Sequence, residues 1–181
     1  MPQSKILVDT NAYLRLAQTI DPLLFTPFGD LEYCLYILPE LNDELSNHRL
    51  RTKFSWVDEE RYIGNRKYFP AIGRKQKKAI DHAFQFVWGH VQKDLPGPSK
   101  IDALYIAYAI ELNIPVVTDD QDMTELAAEF DVTAMPTLGL LKIMLDCSHI
   151  NLKTIRGLIK YLRYKKDLPA NLDKDYKQFF L

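Results

Sequence analysis

The chain has 181 residues, enough for one domain (residues 1–181) with a sizeable core, and its 47% apolar and 26% charged residues are ordinary for a globular protein. Its 23 Lys and Arg against 24 Asp and Glu give a formal charge of −1, so the total does not advertise a nucleic-acid binder. No apolar run approaches the ~20 residues that span a bilayer. Two cysteines, Cys34 and Cys147, are too few for a disulfide framework or a zinc site. Met1-Pro2-Gln3-Ser4-Lys5 runs straight into a strand without an apolar leader, so the expected setting is the reducing cytoplasm, with no membrane partner.

In chain order, Lys5 to Asp9 reads as a short buried strand. Thr10 to Gln18 reads as a helix with Leu14 and Ala17 on one face and Tyr13 beside them. Asp21-Pro22 and Thr26-Pro27 punctuate a loop. Tyr33 to Leu38 is a second strand, and Pro39 suits the first turn of a helix carrying Glu40 and Glu44, four apart on one face. Residues 47–98 form a basic helical region. Glu59 to Tyr68 and Arg74 to Gln92 are its helices, separated by Pro70 and Gly73, and Leu95-Pro96-Gly97-Pro98 closes it. Ser99 and Asp102 have capping-box spacing at the head of a helix that runs to Leu112. Ile114 to Thr118 is strand-like, Asp122 to Phe130 helical and Val132 to Ala134 a short strand. Thr137 to Cys147 and Leu152 to Tyr164 are helices, followed by a tail from Pro169 to Leu181 that packs or binds a partner. Strand and helix alternate throughout, which predicts an α/β fold with a central parallel sheet covered on both faces.

Acidic residues fall where strands end or helices begin. Asp9 closes Ile6-Leu7-Val8. Glu44 lies in Pro39-Glu40-Leu41-Asn42-Asp43-Glu44-Leu45. Asp102 opens an almost wholly apolar helix, and Asp119, Asp120 and Asp122 follow Val116-Val117-Thr118. The carboxyl ends of the strands in an open α/β sheet share one crevice, where ligands bind. Carboxylates gathered there repel one another unless a cation intervenes, and a hard divalent ion such as Mg²⁺ or Mn²⁺ suits oxygen ligands. Each acid also has a purely local reading. Asp9 is an N-cap, Asp102 the reciprocal member of the Ser99 cap, and one of the three later acids another N-cap. Glu40 and Asp43 are explained by the helix macrodipole, which reaches Glu44 less well. For Asp102 the apolar helix favours function, since its carboxylate would point into the interior or a crevice. Asn11 either bonds a metal-bound water or stabilises its turn.

The four histidines, His48, His82, His90 and His149, form no ligand-spaced pair. Basic residues are clustered. Arg66, Lys67, Arg74, Lys75, Lys77 and Lys78 occur without an intervening acid, and seven more lie between Lys142 and Lys166 with only Asp146 among them. An acidic pocket between basic shoulders suits a phosphate backbone, although the first run reads equally as a solvated helix face. Thr10-Asn11-Ala12-Tyr13 lacks the glycines of a dinucleotide-binding loop. A phosphoacceptor receiver domain needs paired acids after its first strand, where Asp9 stands alone.

Taken together, Ile6-Leu7-Val8-Asp9-Thr10-Asn11, the segment around Glu44, Ser99-Lys100-Ile101-Asp102-Ala103-Leu104-Tyr105-Ile106-Ala107 and Thr118-Asp119-Asp120-Gln121-Asp122 resemble the PIN-domain nucleases over residues 5–135. The resemblance implies a Rossmann-like α/β/α sandwich and Mg²⁺- or Mn²⁺-dependent cleavage of RNA. It implies metal ligation by Asp9, Glu44, Asp102 and Asp120, with Asp122 or Asp119 assisting and Asn11 and Thr118 in support. The fourth ligand is Asp120 or its neighbour Asp119, and the family pattern selects Asp120. Arg66, Lys67, Arg74, Lys75, Lys77 and Lys78 are the candidate RNA-binding residues. The implied setting is a VapC-like toxin with an antitoxin partner, and a homodimer is expected. The alternatives are a housekeeping RNA-processing nuclease and a non-catalytic module that binds RNA or protein.

Overall fold

Strand β1 (Ser4–Val8) sends Ile6 and Val8 into one apolar core and Leu7 into another. In β2 (Tyr33–Tyr36), Leu35 joins the first core while Cys34 and Tyr36 join the second, and in β3 (Val116–Val117) the two valines divide in the same way. With β4 (Ala134–Met135) the sheet has the order β2-β1-β3-β4, every neighbouring pair parallel. Strands apolar on both faces need helices on both sides, which explains the layered α/β arrangement. The computed structural model describes residues 4–45 and 47–181, and of residues 42 and 43 the backbone alone. The expectations resting on Met1–Gln3 and on the Asp43 side chain therefore lie outside the described residues.

The helices among the described residues are α1 (Thr10–Leu16), α2 (Leu41–Leu45), α3 (His48–Lys53), α4 (Glu60–Arg66) and α5 (Arg74–Asp94). They continue with α6 (Lys100–Leu112), α7 (Gln121–Glu129), α8 (Thr137–Asp146), α9 (Leu152–Lys165) and α10 (Leu172–Phe180), and a 3-10 turn spans Ser55–Asp58. One core is closed by α1, α8, α9 and the 3-10 turn, the other by α5, α6 and α7. In α9, Ile155, Leu158 and Leu162 are buried at helical spacing, each worth about 1.5–3 kcal/mol of apolar burial. No helix among the described residues is long and apolar enough to cross a membrane.

Two expectations are corrected, and the open reading of the tail is resolved as packing. Glu40 and Glu44 do not share a helix face, because α2 starts at Leu41 and leaves Glu40 outside it. The last strand is displaced to Ala134–Met135, the register that pairs it with Val116 and Val117. The tail is a helix: α10 packs on α8, with Leu172, Tyr176, Phe179 and Phe180 on the first core.

The chain leaves β1 for β2 on one side and returns through α2–α6 to β3 on the other. The carboxyl ends of β1 and β3 therefore flank the point where strand order reverses, where such sheets open a crevice.

Candidate functional site

Asp9 follows β1 directly and caps α1, its Oδ1 accepting the Ala12 N–H at 2.7 Å. Its Oδ2 accepts the Thr118 hydroxyl at 2.6 Å, and Thr118 Oγ1 in turn accepts the Asp120 N–H at 3.1 Å. One buried threonine thus fastens the end of β1 to the end of β3. Asp9 is 6% exposed. Burial pushes its carboxyl up to about 6. The bonds from Thr118 and Ala12 pull it down, Asp119 pushes up, and Arg15 pulls down.

Glu44, on α2, accepts the Thr10 hydroxyl at 2.6 Å. Asp102 and Ser99 form a complete capping box: Asp102 Oδ2 accepts the Ser99 N–H at 2.6 Å and Ser99 Oγ accepts the Asp102 N–H at 3.2 Å. Burial raises the Asp102 carboxyl; the Ser99 bonds oppose this, and the charges of Asp120 and Asp122 add to it. Asp120 caps α7 by accepting the Met123 N–H at 2.8 Å.

These four acids come from segments far apart in the chain, and all four line one cavity of about 310 Å³. Asn11 is on its wall, as the sequence suggests, whereas Thr118 stands behind Asp9. No Lys, Arg or His lines the cavity among the described residues. The positive ends of α1, α6 and α7 offset part of the negative charge through the capping bonds, and a bound cation would offset the remainder. The donors are carboxylate, amide and hydroxyl oxygens, a hard set that suits Mg²⁺ or Mn²⁺ rather than a thiophilic metal. Among the described residues no three His, Cys, Asp or Glu side chains converge closely enough to enclose an ion. Each acid is instead held on its own capping or hydroxyl bond.

The two remaining acids sit outside the cavity. Asp119 faces away: it binds Arg15 at 3.0 Å and accepts both the N–H (2.8 Å) and the hydroxyl (2.5 Å) of Thr137 at the head of α8. Of the two neighbours considered for the fourth position, the cavity holds Asp120. Asp122 lies over Gly97, whose missing Cβ would stand 2.8 Å from the Asp122 carboxyl carbon. It reaches Asp102 through its charge alone.

The sequence does not reveal Tyr105, Asn47 and Leu50, which also line the cavity. Tyr105 lies one turn after Asp102, the only signal that could have found it. It is fully buried and accepts the Leu38 N–H at 3.5 Å. Burial, then Asp9, Glu44 and Glu40, push its hydroxyl well above the usual phenol range, so it stays neutral. Asn47 caps α3 and Leu50 lies within it, a helix with no apolar periodicity of its own.

No residue of the first basic run lines this cavity. Arg66 is 5% exposed and committed to Tyr13 Oη at 3.0 Å and the Val57 carbonyl at 2.6 Å, so it differs from the expected RNA-binding role. Pro70, Ala71 and Gln76 pack beside Ser4, Tyr33 and Pro115, the amino ends of the parallel strands. Arg74 and Lys75 therefore start α5 at the opposite edge of the sheet from Asp9 and Asp120. Lys77 is engaged with Asp81, Glu40 and the Tyr108 hydroxyl, and Lys67 and Lys78 are exposed. Comparisons of the chain with protein-family models, with curated proteins and with solved structures find no significant match.

Proposed function

We propose that the protein is a PIN-like, Mg²⁺- or Mn²⁺-dependent ribonuclease that adds water across a phosphodiester bond of RNA, leaving a phosphate on one fragment and a hydroxyl on the other. The observation that carries this reading is the meeting of Asp9, Glu44, Asp102 and Asp120 in one cavity that no Lys, Arg or His lines among the described residues, at the reversal point of the sheet. These four would hold the ion. When bound, it supplies an activated water and neutralises charge developing on the phosphate. Thr118 fixes the Asp9 carboxylate by donating to it, and Ser99 fixes Asp102. Tyr105 stays protonated and so adds no further negative charge. The RNA target follows from the resemblance, as does the toxin setting with its antitoxin and a homodimer. RNA maturation or decay is the alternative setting.

A second reading is supported by one observation. Each of the four cavity acids already has a hydrogen-bond role in the fold, and among the described residues no three converge closely enough to enclose an ion, which also suits a non-catalytic module that binds RNA or protein. Cleavage of total RNA in Mn²⁺ or Mg²⁺ separates the two. Wild type is expected to cut, Glu44→Gln and Asp120→Asn to lose more than about 100-fold, and Asp122→Asn, outside the cavity, to keep most activity. A folded wild type that binds Mn²⁺ by calorimetry and cuts no RNA sinks the nuclease reading.

A further inference from the structure

Helix α9 contains no acidic residue. At about 100° per residue, Ile155, Leu158 and Leu162 form its buried stripe, and the opposite side presents Lys153, Arg156, Lys160 and Arg163, all exposed. Among the described residues only Arg163 meets a carboxylate, Asp173 at 4.0 Å, itself 90% exposed. Such a pair holds the arginine only weakly.

Two further observations lie in the same stripe. Tyr164 is 82% exposed, a large ring turned fully to solvent. Gly157 has nothing within 4 Å of where its Cβ would stand. The backbone there is open among the described residues, as it is at Gly64 and Gly89.

The chain leaving α9 is tied to the carboxyl edge of the sheet. Asp167 binds Arg15 at 3.3 Å, and Arg15 binds Asp119, the neighbour of Asp120.

We propose that the solvent face of α9, from Lys153 to Tyr164, is the docking surface for the phosphodiester backbone of single-stranded RNA bound for the acidic cavity. That the polyanion is RNA rests on the function proposed above. Cationic side chains that track a backbone, with an exposed ring on which a base stacks, are the means by which proteins hold single strands without reading sequence. The surface replaces the 66–78 run, where Arg66 is buried and Arg74 and Lys75 stand at the far edge.

The test is fluorescence anisotropy of a labelled single-stranded oligouridine RNA, in EDTA so that nothing is cut, across a range of salt. For four phosphate contacts, log affinity should fall with log salt at a slope of about −2.8, leaving about −0.7 in R156Q/K160Q/R163Q, with affinity down more than about tenfold. Tyr164→Ala should weaken binding and leave the slope unchanged. The control K67Q/R74Q/K75Q removes the same charge from exposed positions outside α9 and should bind within about twofold of wild type. Circular dichroism confirms folding, since all the substituted side chains are exposed. No binding by wild type, equal loss in both triple variants, or an unchanged α9 variant overturns the proposal. Cleavage on the same samples with Mn²⁺ keeps the two readings apart. A wild type that binds through α9 and never cuts defeats the nuclease and leaves the docking surface. An α9 variant that binds and cuts like wild type defeats the docking surface and leaves the nuclease.

Discussion

Replacing Asp9 by Asn removes a carboxylate that the fold has buried to 6% exposure between β1 and α1. Its carboxyl rises from the ordinary 3.8 to about 6, chiefly through burial. A shift of that size is worth about 3 kcal/mol, at about 1.4 kcal/mol per unit. The folded state binds the proton more tightly than the unfolded chain. The associated stability is complete below the unfolded value near 3.8 and is lost as pH rises through about 6. Above that pH the folded protein carries the full cost of an ionised, buried Asp9.

Asparagine cannot ionise, and its oxygen still accepts the Ala12 N–H. Its amide faces Thr118, whose hydroxyl loses its acceptor, which costs about 1 kcal/mol. Without divalent ions, Asp9→Asn should therefore be more stable than wild type by about 1–2 kcal/mol at pH 7.5. The gain should vanish toward pH 4. Urea unfolding in EDTA at both pH values reads this directly, with an unchanged m-value as the sign that only stability moved. An Asn variant weaker than wild type at pH 7.5, or a difference that ignores pH, would refute the reasoning. Mn²⁺ at about 100 times its Kd should then stabilise wild type by about 2.7 kcal/mol and the variant much less.

Arg66→Met should lower stability by about 2–4 kcal/mol, because it strips the Tyr13 hydroxyl and the Val57 carbonyl of a buried donor. It should leave the salt slope of RNA binding unchanged, which anisotropy would show. Ser99→Ala should cost about 1 kcal/mol of unfolding free energy by uncapping α6. It also frees the Asp102 N–H, so the Kd for Mn²⁺ should change with it in calorimetry. Gly97→Ala should destabilise by about 1–3 kcal/mol, since Gly97 has φ +150° and a Cβ there would press on the Asp122 carboxylate. Its thermal midpoint should fall accordingly.

The layered parallel fold is legible in the sequence because strands buried on both faces read as continuous apolar runs, as Ile6-Leu7-Val8 and Val116-Val117 do. The four cavity acids are legible for a related reason: each sits at a strand end or within a helix turn whose position the apolar pattern already marks. The spacing of the resembled family favours Asp120 over Asp119, and the geometry agrees, since Arg15 and Thr137 draw Asp119 to the other side. Glu40 parts from Glu44 because the helix starts one residue after it. The short α3 and the 3-10 turn have too few residues to nucleate alone, so tertiary packing decides them. Arg66 reads as a surface cation in sequence. Its spacing of four from the buried Tyr62, on the same face of α4, is the one clue that it turns inward.

Metal-dependent cleavage of labelled RNA by wild type and Asp102→Asn, with Mn²⁺ and with EDTA, tests the central claim most directly. Asn keeps an oxygen for the Ser99 N–H, so the cap and the fold should survive. The account predicts cutting by wild type in Mn²⁺, none in EDTA, and a loss of more than about 100-fold in the variant. Equal cutting by the two proteins, or cutting that persists in EDTA, would contradict it.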